Sequence, residues 1–98
     1  MIEYNPPRPT FVDDATPEET AIIEEHFEYL KRLEADGKLL LAGRTDDAHI
    51  GIALVKAESQ EEVDKILNDD PAVSNKIFTG RVSLFRMALY SGENSITE

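Results

Sequence analysis

Ninety-eight residues with 41% hydrophobic content and no cysteine suit one small domain, without disulfides, thiolate chemistry or a zinc–thiolate centre. Twenty acidic against ten basic side chains give a formal net charge of −10, which excludes a phosphate-tracking nucleic-acid binder and repels anionic membranes. The start, "MIEYNPPRP", has neither a basic n-region nor an apolar h-region, and no stretch reaches membrane-spanning length, so a soluble cytoplasmic protein is expected.

In chain order, Pro6, Pro7 and Pro9 confine a first strand to Ile2–Tyr4, or to short extended pieces near Thr10–Val12. "TPEE" then opens a helix, with Thr16 as N-cap, Pro17 at the first helical position and Glu19 closing a capping box. Gly37 ends that helix in the left-handed conformation. "KLLLAG" reads as a buried strand, "TDDAH" as a polar turn, and "IGIALVKAE" as a further strand in which Gly51 marks a bulge or a close backbone approach. "SQEE" repeats the capping device through Ser59 and Glu62, and its helix stops at "NDDP" because the residue before Pro71 is driven out of the helical region. "AVSNKIFTG" leads into a last strand, "RVSLFRMALY", and "SGENSITE" reads as a tail.

The order strand, helix, strand, strand, helix, strand is that of an α+β, ferredoxin-like βαββαβ domain: two helices on one face of a four-stranded antiparallel sheet. The domain spans residues 1–98, with a first strand and Pro-rich segment over 1–15, a core over 16–89 and a tail over 90–98. The uncovered sheet face calls for the same sheet of a second chain, hence a homodimer.

The first helix carries the candidate chemistry. At 100° per residue, Ile22, Ile23, Phe27, Tyr29, Leu30 and Leu33 share an arc of about 160°, and His26 lies near its centre. Glu24, Glu25, Glu28, Lys31 and Arg32 take the opposite, wet side. A histidine there is either a core residue bonded to a backbone carbonyl or a buried base. A carboxylate from the second helix would favour the latter by fixing one imidazole tautomer, and Asp69 and Asp70 compete for that place. Arg44 and Arg8 are candidate anion contacts, and Tyr29 is a core aromatic with its hydroxyl at the rim. Two isolated histidines and an irregular "TDDAH" match no metal motif, and no GxSxG, P-loop or dinucleotide fingerprint occurs, so neither metal nor cofactor is expected.

"EEHFEYLKRLEADGKLLLAGR", then "GIALVKAESQEEVDKILNDDPAV" and a closing "VSLFRMAL", resemble the YciI-related (YCII) family from about Thr16 to Leu89. The resemblance implies a ferredoxin-like subunit in a dimeric α/β-barrel. It also implies an active site built on a histidine, here His26, and on the aspartate of a "DP" pair, here Asp70 before Pro71. "NPPRP" stands where the family has a longer first strand. The function expected is a cofactor-independent lyase- or isomerase-type proton transfer on a small molecule, anionic or aromatic, with Arg44, Tyr29 and Arg8 as substrate contacts. The rival expectation is a non-catalytic ligand-binding or accessory module in which the same histidine and aspartate form a structural pair.

Overall fold

The computed structural model describes residues 1–91; the expected tail lies almost wholly outside the described residues. Strand β1 (Ile2–Asn5) ends immediately before Pro6, so no proline enters the ladder. The strand therefore takes a central place in a four-stranded antiparallel sheet of order β2-β3-β1-β4, the ferredoxin-like topology. Ile2 and Tyr4 point into the core and Glu3 to the other face, as strand alternation requires.

The segment expected to be extended near Thr10–Val12 is instead a helical turn, α1 (Phe11–Asp14). Local polar bonding wins there: the N–H groups of Asp13 and Asp14 donate to the Thr10 carbonyl, and the Thr10 hydroxyl donates to the Asp14 carboxylate.

Helix α2 (Pro17–Ala35) starts on a complete capping box: Glu19 N–H donates to Thr16 Oγ1 at 3.1 Å, and Thr16 N–H donates to Glu19 Oε1 at 2.9 Å. It closes with a Schellman pair, Lys38 N–H to Leu33 O and Gly37 N–H to Glu34 O, made possible by Gly37 at φ +76°. His26, Leu30 and Leu33 are its buried residues. Phe27 departs from the expected stripe, being 58% exposed with Lys31 Nζ over its ring.

Strands β2 (Leu39–Arg44) and β3 (Gly51–Val55) form a hairpin. The bulge lies at Leu40 in β2, between the pairs Leu39↔Val55 and Leu41↔Leu54, not at Gly51. Nor is Gly51 a close approach, since an added Cβ would meet its neighbours at ordinary contact distances of 3.6 Å or more. β2 is not the buried strand expected: only Leu39 is buried, because β2 is an edge strand and its outer face has no second layer in one chain.

Helix α3 (Gln60–Asp69) buries Ile66. Ser59 Oγ accepts from Glu62 N–H, but the Glu62 carboxylate returns to Glu58 N–H rather than to Ser59, so the second capping box is half formed. Asp70 ends α3 and, with Pro71 at the first position, caps the single turn α4 (Pro71–Ser74). Strand β4 (Thr79–Val82) is far shorter than the expected "RVSLFRMALY". Its ladder needs β1, which begins at Ile2; Ser83 still bonds the Met1 carbonyl, and beyond it no strand lies opposite. Gly80 faces the helices, where a Cβ would run into the Leu67 side chain.

Removing either cap should cost about 0.5–2 kcal/mol. In urea unfolding, Thr16→Ala and Ser59→Ala are expected to lower the midpoint without changing the slope, and no loss at either position would mean that the caps are idle.

Candidate active site

Helix α3 is capped at its C-terminus by a carboxylate that cannot reach water. Asp70 is fully buried, held in an extended backbone conformation between α3 and α4, and three donors converge on it. His26 Nδ1 stands 2.8 Å from both carboxylate oxygens. The Tyr4 hydroxyl donates to Oδ2 at 3.0 Å, and Ala72 N–H donates to Oδ1 at 2.9 Å. The Tyr4 hydroxyl and Ala72 N–H donate to the carboxylate, and the His26 tautomer that adds a third donor carries its proton on Nδ1, with the lone pair on Nε2.

His26 as a whole is 9% exposed. Tyr4 and Phe78 meet it edge-on, with centroids at 5.2 and 5.4 Å, and fix its plane. Nε2 makes no hydrogen bond among the described residues, and no buried side-chain nitrogen or oxygen there is left without a partner, so Nε2 is open at a cavity wall. That cavity, of about 450 Å³, lies between the helices and one end of the sheet. Its walls are mostly apolar, from Phe11, Ile23, Phe27, Ile52 and Phe78, with His26, Thr20, Tyr4 and Arg44 as the polar side chains. Among the described residues no carboxylate lines it. This is the size and character of a small-molecule site.

The residues singled out in the sequence divide. His26, Asp70 and Arg44 meet at or directly behind the cavity. Tyr29 does not line it; its hydroxyl donates to Ile66 O at 2.7 Å and ties α2 to α3. Arg8 is also off the wall. It forms a fork on Glu19, at 3.0 and 2.8 Å, and bonds the Asp14 carboxylate and carbonyl, latching α1 to the start of α2. That fork and the Thr16 N–H hold the Glu19 carboxyl down at about 2. Asp69 pairs with Lys65 at the surface, which leaves Asp70 as the inner acid. Sequence reasoning missed Tyr4 and Phe78. The alternation Ile2-in, Glu3-out, Tyr4-in was the available signal for Tyr4, and four residues of it read only as a weak strand. Among the described residues no group of three potential ligands could hold a metal, and no helix is long and apolar enough to cross a membrane.

Burial, with the Asp70 and Asp69 charges behind it, pushes the Tyr29 phenol up to about 12; burial and the adjacent Asp70 push Tyr4 up further. Both folded-state values lie above the ordinary 10.0, so the stability tied to the neutral phenols is complete below pH about 10 and drains as pH rises through the folded values. An alkaline titration followed by phenolate absorbance should find Tyr4 ionising only together with unfolding, and a Tyr4→Phe variant should lose that coupled step. A Tyr4 that titrates freely in the folded protein would contradict its bond to Asp70.

The comparisons with known proteins agree with this architecture. A YCII-related domain model matches residues 2–86. The uncharacterized protein YjpA of Bacillus subtilis (strain 168) is 38% identical over 50 residues, covering 51% of this chain and 59% of that protein, so the match spans little more than half the relative's length. Among solved structures, 5-chloro-2-hydroxyhydroquinone dehydrochlorinase (TftG) from Burkholderia phenoliruptrix AC1100, in complex with 2,5-dihydroxybenzoquinone, superposes with a TM-score of 0.66 at 23% identity. That match covers 89% of this chain and 93% of the other, which establishes a shared fold. With most of its length matched by the family model, the chain belongs to the YCII-related domain family.

Proposed function

We propose that this protein is a cofactor-independent enzyme in which His26 moves a proton on a small molecule, in a lyase- or isomerase-type reaction, working as a cytoplasmic homodimer. The observation that carries the reading is the open Nε2 at an apolar cavity wall while Nδ1 is held by a buried carboxylate. A general base needs a lone pair within reach of a carbon or oxygen acid, and a fixed tautomer that keeps it there. Asp70 orients the ring and stabilises the imidazolium once it forms. The ring edges of Tyr4 and Phe78 keep it from turning away. The dehydrochlorinase of the same fold, whose complex holds a dihydroxyquinone, is consistent with small oxygenated rings as a ligand class, although the likeness in sequence is too low to transfer its substrate.

A second reading has one observation in its favour. The Tyr4–Asp70–His26 network ties β1, α2 and the α3–α4 junction together, as a purely structural cluster in a ligand-binding module would.

The proposed assembly rests on exposed apolar surface. Leu41 on β2 and Leu84, Phe85, Met87 and Leu89 in the segment after β4 are between 42% and 93% exposed, too many large apolar side chains for a free surface, and a second copy of the chain would cover them. Light scattering at micromolar concentration should give the mass of a dimer; a stable monomer would contradict this part of the proposal.

Catalysis is tested by deuterium uptake from heavy water into ligands that raise the melting temperature in a screen of small carbon acids. The wild type should label a ligand that His26→Gln and Asp70→Asn leave unlabelled or label about a hundredfold more slowly, the usual worth of a general base. Equal labelling by all three proteins overturns the base reading. The structural reading predicts instead that both variants chiefly lose stability, by about 1–3 kcal/mol for an unpaired buried group.

A further inference from the structure

Among the described residues, one cation lines the cavity that His26 lines, and it has an unused edge. Arg44 is the last residue of β2, and its Nη1 donates to the carbonyls of Thr45 and Asp46, at 3.0 and 3.1 Å. Those bonds anchor the guanidinium to its own turn. Nε and Nη2 make no hydrogen bond or ion pair among the described residues, so the Nε–Nη2 edge, the one that fits a planar carboxylate with two parallel bonds, is free.

The turn that holds it is closed by its own hydrogen bonds. The Thr45 hydroxyl donates to Asp47 Oδ1 at 2.7 Å, His49 N–H donates to the same oxygen at 3.0 Å, and Thr45 N–H donates to Ile50 O at 2.9 Å. The turn also holds Ala48 at φ +60°, a left-handed conformation that costs a residue with a Cβ about 1–2 kcal/mol, and Ala48 lines the cavity. Local strain kept beside a cavity is a pointer to binding.

The sheet register supplies the third observation. Arg44 pairs with Gly51, and Gly51 pairs with Tyr4, so the three form one row across β2, β3 and β1. Paired residues point to the same face, which for Tyr4 is the side of Asp70 and His26. Between Arg44 and Tyr4 the row has no side chain at all. Gly51 is not needed for its backbone freedom or for close packing, and what its missing side chain leaves is an open floor.

From this row we infer that the substrate is a small planar monocarboxylate that lies across Gly51, its carboxylate paired with the Nε–Nη2 edge of Arg44 and its reacting end toward Nε2 of His26. The inference rests on the proposed base and adds the substrate class. In a chain of net charge −10, one anchored guanidinium in a cavity that no acid of the described residues lines selects a single negative charge, while the apolar walls select a flat ring or conjugated body.

Salicylate, salicylamide and phenyl phosphate serve as probes, with binding followed by NMR titration of the wild type, Arg44→Gln, Gly51→Val and His26→Gln. Salicylate should bind at least about tenfold more tightly than the neutral amide, and Arg44→Gln should reduce it to the level of the amide. Gly51→Val, whose added atoms meet no forbidden contact at Cβ, should keep the folded spectrum and lose both salicylate and salicylamide. Equal affinities for salicylate and salicylamide, indifference to Arg44→Gln, or tighter binding of phenyl phosphate would each overturn the inference. His26→Gln separates the two proposals. Arg44-dependent salicylate binding that survives it supports the carboxylate site whatever becomes of proton exchange, and exchange without Arg44-dependent binding overturns the site while leaving the base in place.

Discussion

The structure is organised around one buried negative charge. A carboxylate removed from water is costly unless donors replace its hydration, and Asp70, with no exposed surface, is given three. They come from three places: the middle of α2, the central strand, and the first turn of α4. Ala72 N–H can reach Oδ1 because Pro71 starts a new helical turn with Asp70 as its cap. Tyr4 can reach Oδ2 because β1 is central and its even residues face the helices. His26 can reach both oxygens because it sits at the middle of the buried stripe of α2. Moving any of the three elements would leave the charge with an unfilled lone pair, at a cost of about 1–3 kcal/mol.

The same bond that stabilises Asp70 decides what His26 can do. A histidine bonded only to backbone could present either nitrogen. With Asp70 against Nδ1 and aromatic edges on the ring, the proposed role needs the tautomer that leaves Nε2 unprotonated toward the cavity. Arg44 lines the same cavity from the β2–β3 turn, with its guanidinium bonded to the carbonyls of Thr45 and Asp46. Arg8, which the sequence offers equally as an anion contact, is taken up by Asp14 and Glu19.

What could be read in the sequence was what rests on local chemistry. Thr16, Pro17 and Glu19 mark a helix start whose bonds are all made within four residues, and Gly37 marks an end that needs only its own left-handed backbone. His26 was legible because a nineteen-residue helix gives periodicity enough turns to show a dry face. Phe27 was misplaced because the edge of an apolar arc borders the cavity and the solvent rather than the core. Tyr4 and Phe78 escaped because their value lies in contacts with residues more than twenty and fifty positions away, to which no local pattern refers. The apolar run after β4 reads as strand from its own residues, yet a strand needs a partner, and β1 is only four residues long.

The tautomer of His26 tests this account most directly. Nitrogen-15 NMR of the ring in the folded, neutral state should show a protonated, pyrrole-like Nδ1 and an unprotonated, pyridine-like Nε2, and Asp70→Asn should disturb that assignment without unfolding the chain. A His26 whose proton resides on Nε2 in the wild type would contradict the bond to Asp70 and, with it, the base proposed for the cavity.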